Sequence, residues 1–412
     1  LQKTAALGYS GFIARKLSRG QHKGVTGPVI KVSVFSIALS IAVMLISFAI
    51  ARGFNHEVRE KIIGFGAHIQ VRPFDTNESL EQPPVAGKRD DIDLIASIEG
   101  VKSISPFIEK GGLIKTDSNL HGTIMKGVDR NYDFSFMEKN LVQGALPDFS
   151  DSLSDKILLS ERVGKMLHLS IGSPVRIYFI VPGEVQPRGR KFTVCALFNT
   201  GMAEFDQVYA ICDMRHLQKL NGWKDSVSGF EVLVDDFDHL DRIMSDVNNT
   251  LYYDLEATDI ITRNAQFFDW LQLTDKNVLI ILALMTIVAI INIISIILIL
   301  ILERIPTIGL FKALGASNRF VRSVFVHVSV PLLLRGIVFG NLFGVGLILL
   351  QYVTHILPLN AEIYYLDHIP VLLEADYLIM VNVGVFAVSL LAVLIPSLVI
   401  RRINPSAALQ HK

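Results

Sequence analysis

The chain has 412 residues, half of them apolar, with 39 Lys and Arg balanced by 39 Asp and Glu and a mean hydropathy of +0.43. That average excludes an ordinary soluble domain, and the apolar residues are concentrated in a few long runs. The neutral total also hides a strong polarity along the chain.

Residues 1–31 carry six cations (Lys3, Arg15, Lys16, Arg19, Lys23 and Lys31) and no acid. Val32–Ile50 follows without a charge, about 28 Å of helix and enough to cross the hydrocarbon core. It is longer than the apolar core of a signal peptide and no convincing small-x-small cleavage site closes it, so it is expected to remain as a transmembrane helix. In "ARGFNHEVREKIIGFG" Phe54, Val58 and Ile62 recur every fourth residue on an otherwise charged helix, which predicts that the helix continues beyond the membrane as a stalk.

Residues 52–276 hold 25 basic and 34 acidic residues, a net of −9. This length is ample for a domain with its own core, and its acidity argues against nucleic acid. The stretches "HIQVRP", "GLIKT", "GTIMKGV", "SPVRIYFIV", "KFTVCALF", "QVYAIC" and "GFEVLV" read as strands. "DDIDLIASIEG", "SERVGKMLHL", "DMRHLQKLNG" and "DHLDRIMSDVNN" read as helices, the second with Ser160 as N-cap. The mixture predicts an α+β domain, and the polar stretch 75–91 a loop. Cys195 and Cys212 both fall here, where a disulfide is permitted; their spacing fits either a bond or two buried thiols on neighbouring strands. A second stalk is expected at "NAQFFDWLQLTDKN", with Phe267, Leu271 and Thr274 on one face.

Val278–Leu302 and Tyr377–Ile400 are two further uncharged runs, and Ser323–Leu350 is broken only by His327 and Arg335. In the last of these, Gly336, Gly340 and Gly344 form a small-residue face suited to close helix packing. A mid-helix Arg335 is expected to face protein or water, and Pro331 to kink the helix. The 303–322 segment has four cations against one acid, whereas 351–377 has four acids and no Lys or Arg. The termini and the 303–322 loop are therefore expected on the cytoplasmic side.

The predicted organisation is a cytoplasmic segment (1–28), a transmembrane helix (29–51), an outer α+β domain with stalk helices (52–276), a second span (277–302), a cytoplasmic loop (303–319), a third span (320–350), an outer connection (351–376), a fourth span (377–400) and a cytoplasmic tail (401–412).

No P-loop, H-E-x-x-H, C-x-x-C or G-x-S-x-G motif is present, so no catalysis and no metal are expected in this chain. His355 and His368 share the acidic connection with Glu362 and Asp367, a set that reads better as a solvated loop than as a metal site. The 303–320 stretch "ERIPTIGLFKALGASNRF" is more specific. Pro306 suits a helix start and Gly315 its stop, with Ile308, Leu310, Phe311 and Leu314 as an apolar face too short to span. Such a helix either lies in the lipid interface or plugs into a groove on a cytoplasmic partner.

The stretch "VAIINIISIILILILERIPTIGLFKALGASNRFVRSVF" resembles ABC-transporter permeases of the FtsX/MacB superfamily, and more narrowly the LolC/LolE lipoprotein-releasing permeases. "FIARKLSR", "ARGFNHEVREKIIGFGAHI", "SPFIEKGGLI", "GTIMKGVD", "FTVCALFNTGMAEFDQVYA" and "PSLVIRRINPSAALQ" extend the resemblance along nearly the whole chain. It implies four transmembrane helices with a large α+β periplasmic domain between the first and second, in the bacterial inner membrane. It further implies a second permease subunit, the same or a sister chain, and a separate cytoplasmic ABC ATPase that binds ATP and Mg. The short helix would be the coupling helix seated in that ATPase, through Ile308, Gly309, Leu310, Lys312, Leu314 and Gly315. The stalks would carry the stroke outward by mechanotransmission. Lipoprotein acyl chains would enter a lipid cavity drawing on Ser47, Ile50, Ala51, Phe54, Met285 and Ile293. A periplasmic carrier would dock at "VPGEVQPRGRKF", with Gln186, Arg188 and Arg190. The alternative is an FtsX-like regulator that relays ATPase motion to a periplasmic cell-wall hydrolase.

Overall fold

The computed structural model describes residues 26–74, 83–116, 119–149, 152–181 and 185–397. The cationic N-terminal residues 1–25, the basic tail and residues 75–82 of the polar 75–91 stretch therefore lie outside the described residues. The rest of that stretch is not all loop, since it holds a short strand at Val85–Ala86 and the start of a helix at Asp90. The described residues fall into two compact units. One, the span unit, comprises the chain up to Asn55, Trp270–Pro358 and the chain from Ile369 onward; the other, the outer unit, comprises His56–Asp269 and Leu359–His368.

Among the described residues, four helices are long and apolar enough to cross a membrane. Helix α1 runs without a break over Thr26–Gly66, so the apolar run and the charged stretch after it form one helix. In the outer unit, α2 (Asp90–Ile95), α3 (Glu161–Leu167), α4 (Met214–Asn221) and α5 (Leu240–Thr250) follow. The Ser160 hydroxyl accepts the Val163 N–H at 3.1 Å, the cap expected for α3. Helix α6 (Ala265–Glu303) is again a single element. It is followed by the short α7 (Ile305–Ala313), then α8 (Asn318–Thr354) and α9 (Ala375–Ala392).

Exposed surface on α6 and α8 is apolar, with Leu279, Ile280, Leu342 and Phe343 all exposed. Inside the span unit Ile37, Ile41 and Met44 of α1 pack with Ile293, Ile297 and Ile301 of α6 and Leu333 and Ile348 of α8. Asn341 and Asn382 exchange amide hydrogen bonds of 2.7 and 2.9 Å between α8 and α9. That pairing gives each side chain a partner on the other helix. Arg52 stacks 4.6 Å from the Tyr377 ring centroid and donates to its hydroxyl.

The outer unit is built on a ten-stranded mixed sheet. Its strands are β1 (Ile69–Pro73), β3 (Val101–Lys115), β4 (Leu120–Val128), β5 (Leu141–Gly144), β6 (Lys156–Ser160), β7 (Pro174–Phe179), β8 (Arg188–Phe198), β9 (Tyr209–Asp213), β11 (Gly229–Val234) and β12 (Leu255–Asp259). Two short strands, β2 (Val85–Ala86) and β10 (Ser226–Val227), pair separately. The order is β12-β1-β11-β3-β4-β9-β6-β8-β5. Because β7 pairs both β3 and β8, the circuit β3-β4-β9-β6-β8-β7 closes on itself. Closure removes the open edges those six strands would otherwise expose. The long strand β3 serves both parts, pairing β11 through its first half and β7 through its last three residues.

Two sequence expectations are corrected. Cys195 on β8 and Cys212 on β9 do not sit on neighbouring strands, because β6 runs between them, and both thiols are free. Cys195 instead donates to the Ile157 carbonyl of that intervening strand at 3.3 Å. Burial pushes the Cys195 thiol up to about 11, so it is protonated and inert near neutral pH. Arg335 is not at mid-span either. Gly336, the next residue, lies against Ile37 and within reach of the Val34 carbonyl, which puts Arg335 level with the beginning of the α1 apolar run. The run Ser323–Leu350 corresponds to about 42 Å of helix, longer than the hydrocarbon core, and hydropathy alone does not say which part of it spans.

Candidate functional site

The short helix α7 begins with Pro306 in its first turn, where a missing N–H costs nothing, and ends at Ala313, with Leu314 as its cap. Gly315 follows at φ +87°, a left-handed conformation that only glycine adopts without strain. The helix does not present one apolar face but two. Ile308, 1% exposed, and the half-buried Phe311 pack into the core shared by α6 and α8, and Gly309 is buried with them. Leu310 and Leu314, four residues apart, point the other way at 50% and 77% exposure. Lys312 lies between, half-buried. The inner residues seat the helix; the outer pair is a ready anchor for a groove on another molecule.

Of the residues expected to form the lipid cavity, Ser47 and Ile50 are half-buried on α1 and Met285 is half-buried on α6. Ala51 and Phe54 are buried, the latter packing edge-on to Trp270 at 5.2 Å. Ile293 is only 1% exposed, within the packed core of the span unit. Gly336, Gly340 and Gly344 all face α1. A Cβ at Gly340 would lie 2.8 Å from both the Ala38 carbonyl oxygen and Ile41 Cβ. In the outer unit, Gln186 is exposed between β7 and β8, while Arg188 and Arg190 already belong to β8, paired with Phe179 and Ile177. Arg188 is exposed and also donates to the Leu220 carbonyl at 3.4 Å, and Arg190 is half-buried.

One constellation escaped the sequence reading. At the end of α1, inside the outer unit, the Phe65 ring is 3% exposed and stacks 4.6 Å from Phe205 and 4.7 Å from Tyr209. The carbonyls of that last turn have no partner within the helix. The Lys126 ammonium, 1% exposed, donates to the Phe65 carbonyl at 2.9 Å and to Glu231 at 2.7 Å. The Arg263 guanidinium donates to the Gly66 carbonyl and, at 3.3 Å, to that of Ala67. Two cations thus cap a helix C-terminus, where the dipole favours positive charge. Burial pulls the Lys126 pKa down, but the Glu231 carboxylate more than offsets it, so the net shift is upward and the group stays charged. Burial moves Arg263 down to about 10. The only available signal was Lys126 itself, a charge on a strand otherwise buried at its C-terminal end.

Residues 32–250, more than half of the chain, match the family model for the MacB-like periplasmic core domain. Residues 279–405 match that for the FtsX-like permease C-terminal. The chain is similar to the lipoprotein-releasing system transmembrane protein LolC of Xylella fastidiosa (strain Temecula1), with 24% identity over 415 residues covering 97% of each chain. It is likewise similar to LolE of Haemophilus influenzae, with 23% identity covering 97% of this chain and 98% of that one. Among solved structures, the periplasmic region of MacB from Actinobacillus actinomycetemcomitans aligns at a TM-score of 0.35 and 12% identity, over 50% of this chain and 95% of that one. Four apolar helices together with this core domain describe a multi-pass membrane protein.

Proposed function

The chain belongs to the family defined by the MacB-like periplasmic core domain, and from that premise we propose that it is the permease subunit of an ABC transporter that extracts lipoproteins from the bacterial inner membrane. The observation that carries this reading is the similarity to LolC and LolE proteins over 97% of the chain, in one continuous order of spans and outer domain. ATP, with its Mg, would be bound and hydrolysed by a separate cytoplasmic subunit. A second permease subunit, the same chain or a sister, would complete the membrane part.

In this reading α7 is the coupling helix. Leu310 and Leu314 would enter the ATPase, while Ile308 and Gly309 hold the helix to the spans, so that a push on the exposed leucines moves α6 and α8. Support for mechanotransmission comes from α1, which is unbroken from its apolar run to Gly66 and is anchored at that end by Phe65, Lys126 and Arg263. A helix fixed in this way transmits displacement instead of fraying. Acyl chains would bind along Ser47, Ile50, Ala51 and Phe54 with Met285 and Ile293, and the released lipoprotein would pass to a periplasmic carrier at Gln186, Arg188 and Arg190.

The test is purification of the tagged chain in mild detergent, with mass spectrometry of its companions. An ABC ATPase together with triacylated lipoproteins is the expected result; the ATPase with a cell-wall hydrolase and no lipoprotein would transfer the chain to the signalling reading. Leu310→Asp should abolish ATPase association with the thermal unfolding of the chain unchanged, and normal co-purification would remove α7 from the coupling role. Ile50→Asp should impair release of lipoproteins from reconstituted vesicles without weakening ATPase binding, and unchanged release would remove that residue from the cavity.

A further inference from the structure

A groove of about 660 Å³ lies between α1 and α8 within the span unit. Its walls are apolar, formed by Phe35 and Leu39 on α1 and by Phe339 and Leu342 on α8, and its remaining lining includes two cations, Lys31 and Arg335. Both cations are exposed, and among the described residues neither is paired with a carboxylate. The two lie at the same end. Gly336 meets Ile37, Gly340 meets Ala38 and Ile41, and Gly344 meets Ala42, so position advances along α1 and α8 together and away from Lys31 and Arg335.

From Ile30 to Leu39 the groove follows α1 for about 14 Å, close to half the thickness of the hydrocarbon core. It is thus one leaflet deep, charged at its mouth and greasy along its length. We propose that this groove binds an anionic phospholipid of the cytoplasmic leaflet, its phosphate and headgroup between Lys31 and Arg335 and an acyl chain along Phe35, Leu39, Phe339 and Leu342. The inference rests on reading the chain as a membrane permease with residue 31 on the cytoplasmic side.

Charge complementarity selects this occupant. A basic pocket between transmembrane helices at the cytoplasmic face suits an anionic headgroup, and each cation near that surface adds to the attraction. A zwitterionic lipid would fill the apolar part equally well but leave the cations without net neutralisation. A second copy of the chain packed symmetrically on this groove would bring its own Lys31 and Arg335 beside the first pair, like charge against like. The site is separate from the proposed lipoprotein cavity, which draws on α1 and α6 nearer Phe54.

The experiment uses the full chain, with whatever subunits co-purify, in phosphatidylcholine nanodiscs. Phe339→Trp places a reporter in the groove, and the signal is its fluorescence beyond that of the parent protein, whose Trp223 and Trp270 do not line the groove. Brominated phosphatidylglycerol at low mole fraction should quench that signal with an association constant on the order of tenfold above that of brominated phosphatidylcholine. Adding Lys31→Gln and Arg335→Gln should erase the preference and leave ordinary quenching by both lipids. Equal quenching by the two lipids before those changes would overturn the site as annular lipid only, and no quenching by either would mean that protein covers the groove. Native mass spectrometry of the unaltered, delipidated protein provides a readout that needs no reporter: preferential retention of phosphatidylglycerol supports the site, and equal retention overturns it. Loss of lipoprotein release with the lipid preference intact would count against the proposed function alone; an absent preference with intact release would count against this inference alone.

Discussion

In the outer unit a lysine with 1% exposure is held by a carboxylate, a tyrosine hydroxyl and a helix-end carbonyl. In the span unit the cations at the edge of the apolar core, Lys31 and Arg335, stay exposed, and the contact between α8 and α9 uses the neutral Asn341–Asn382 pair. The close approach of α1 and α8 there depends on glycine and not on charge. Each solvent sets its own rule. Where water surrounds the fold, burial of aromatic and aliphatic surface supplies enough stability to carry a desolvated ion pair, provided its geometry is good. Between helices in lipid that drive is missing, and van der Waals fit between small residues takes its place.

The sharpest way to break this contrast is Glu231→Ala. It leaves the Lys126 ammonium buried without its counter-ion and should cost about 3–5 kcal/mol, read as a large fall in the melting temperature of the chain in detergent. An unchanged melting temperature would mean that the ion pair anchors nothing. Gly340→Val probes the other unit. Its side chain would meet the Ala38 carbonyl and Ile41, and overpacking of this kind costs about 1–3 kcal/mol. Gly346→Ala, with open space around the new methyl group and a better helix former in place, should not destabilise in the same assay; a loss at Gly346 equal to that at Gly340 would show that close packing against α1 is not what the larger side chain disturbs.

The smallest effect concerns His68, whose Nδ1 accepts the Val234 N–H at 3.2 Å. Burial, reinforced by Lys102, lowers its pKa to about 4 in the fold, against an ordinary value of 6.5. Between those values the unfolded chain binds a proton that the folded ring refuses. Stability is therefore complete above pH 6.5 and declines as pH falls toward 4, by on the order of 1–2 kcal/mol for a ring only partly shielded from water. His68→Gln should flatten that part of the stability curve, and an unaltered slope would assign the acid sensitivity to other groups.

Much of this architecture was legible because its signals are long. Four apolar runs, the stripe Phe54, Val58 and Ile62, and the Ser160 cap all depend on patterns repeated over several turns or on a single strong local preference. The failures have equally physical causes. Strand β3 was recognised only at its end, since Pro106, Gly111 and Gly112 interrupt its alternation and mark where one strand serves two sets of partners. Strand β6 lies buried between β8 and β9, so its run "KILLS" lacks the polar face that announces a strand. For the short helix, periodicity places Ile308 and Leu310 on opposite sides but could not say which side is covered by the rest of the fold. That division depends on α6 and α8, which are distant from it in neither sequence nor space yet give no sign in a helical wheel. The anchor at Phe65 was invisible for a different reason: Lys126, Glu231 and Arg263 come together only once the sheet has formed.

The pairing of β1 with β12, Ile69 opposite Asp259, has a consequence for how the protein is made. The first strand of the sheet finds one neighbour in the last strand, and its other neighbour, β11, is nearly as late in synthesis. A ribosome delivering this chain must release almost the whole outer unit before β1 can be hydrogen-bonded on either side. Until then an extended segment immediately following a membrane helix has unpaired backbone, in a fold dominated by long-range contacts that form slowly. The last residues needed, 255–259, come just before α6 enters the membrane. Completion of the sheet and insertion of the second span are therefore nearly simultaneous events in biogenesis.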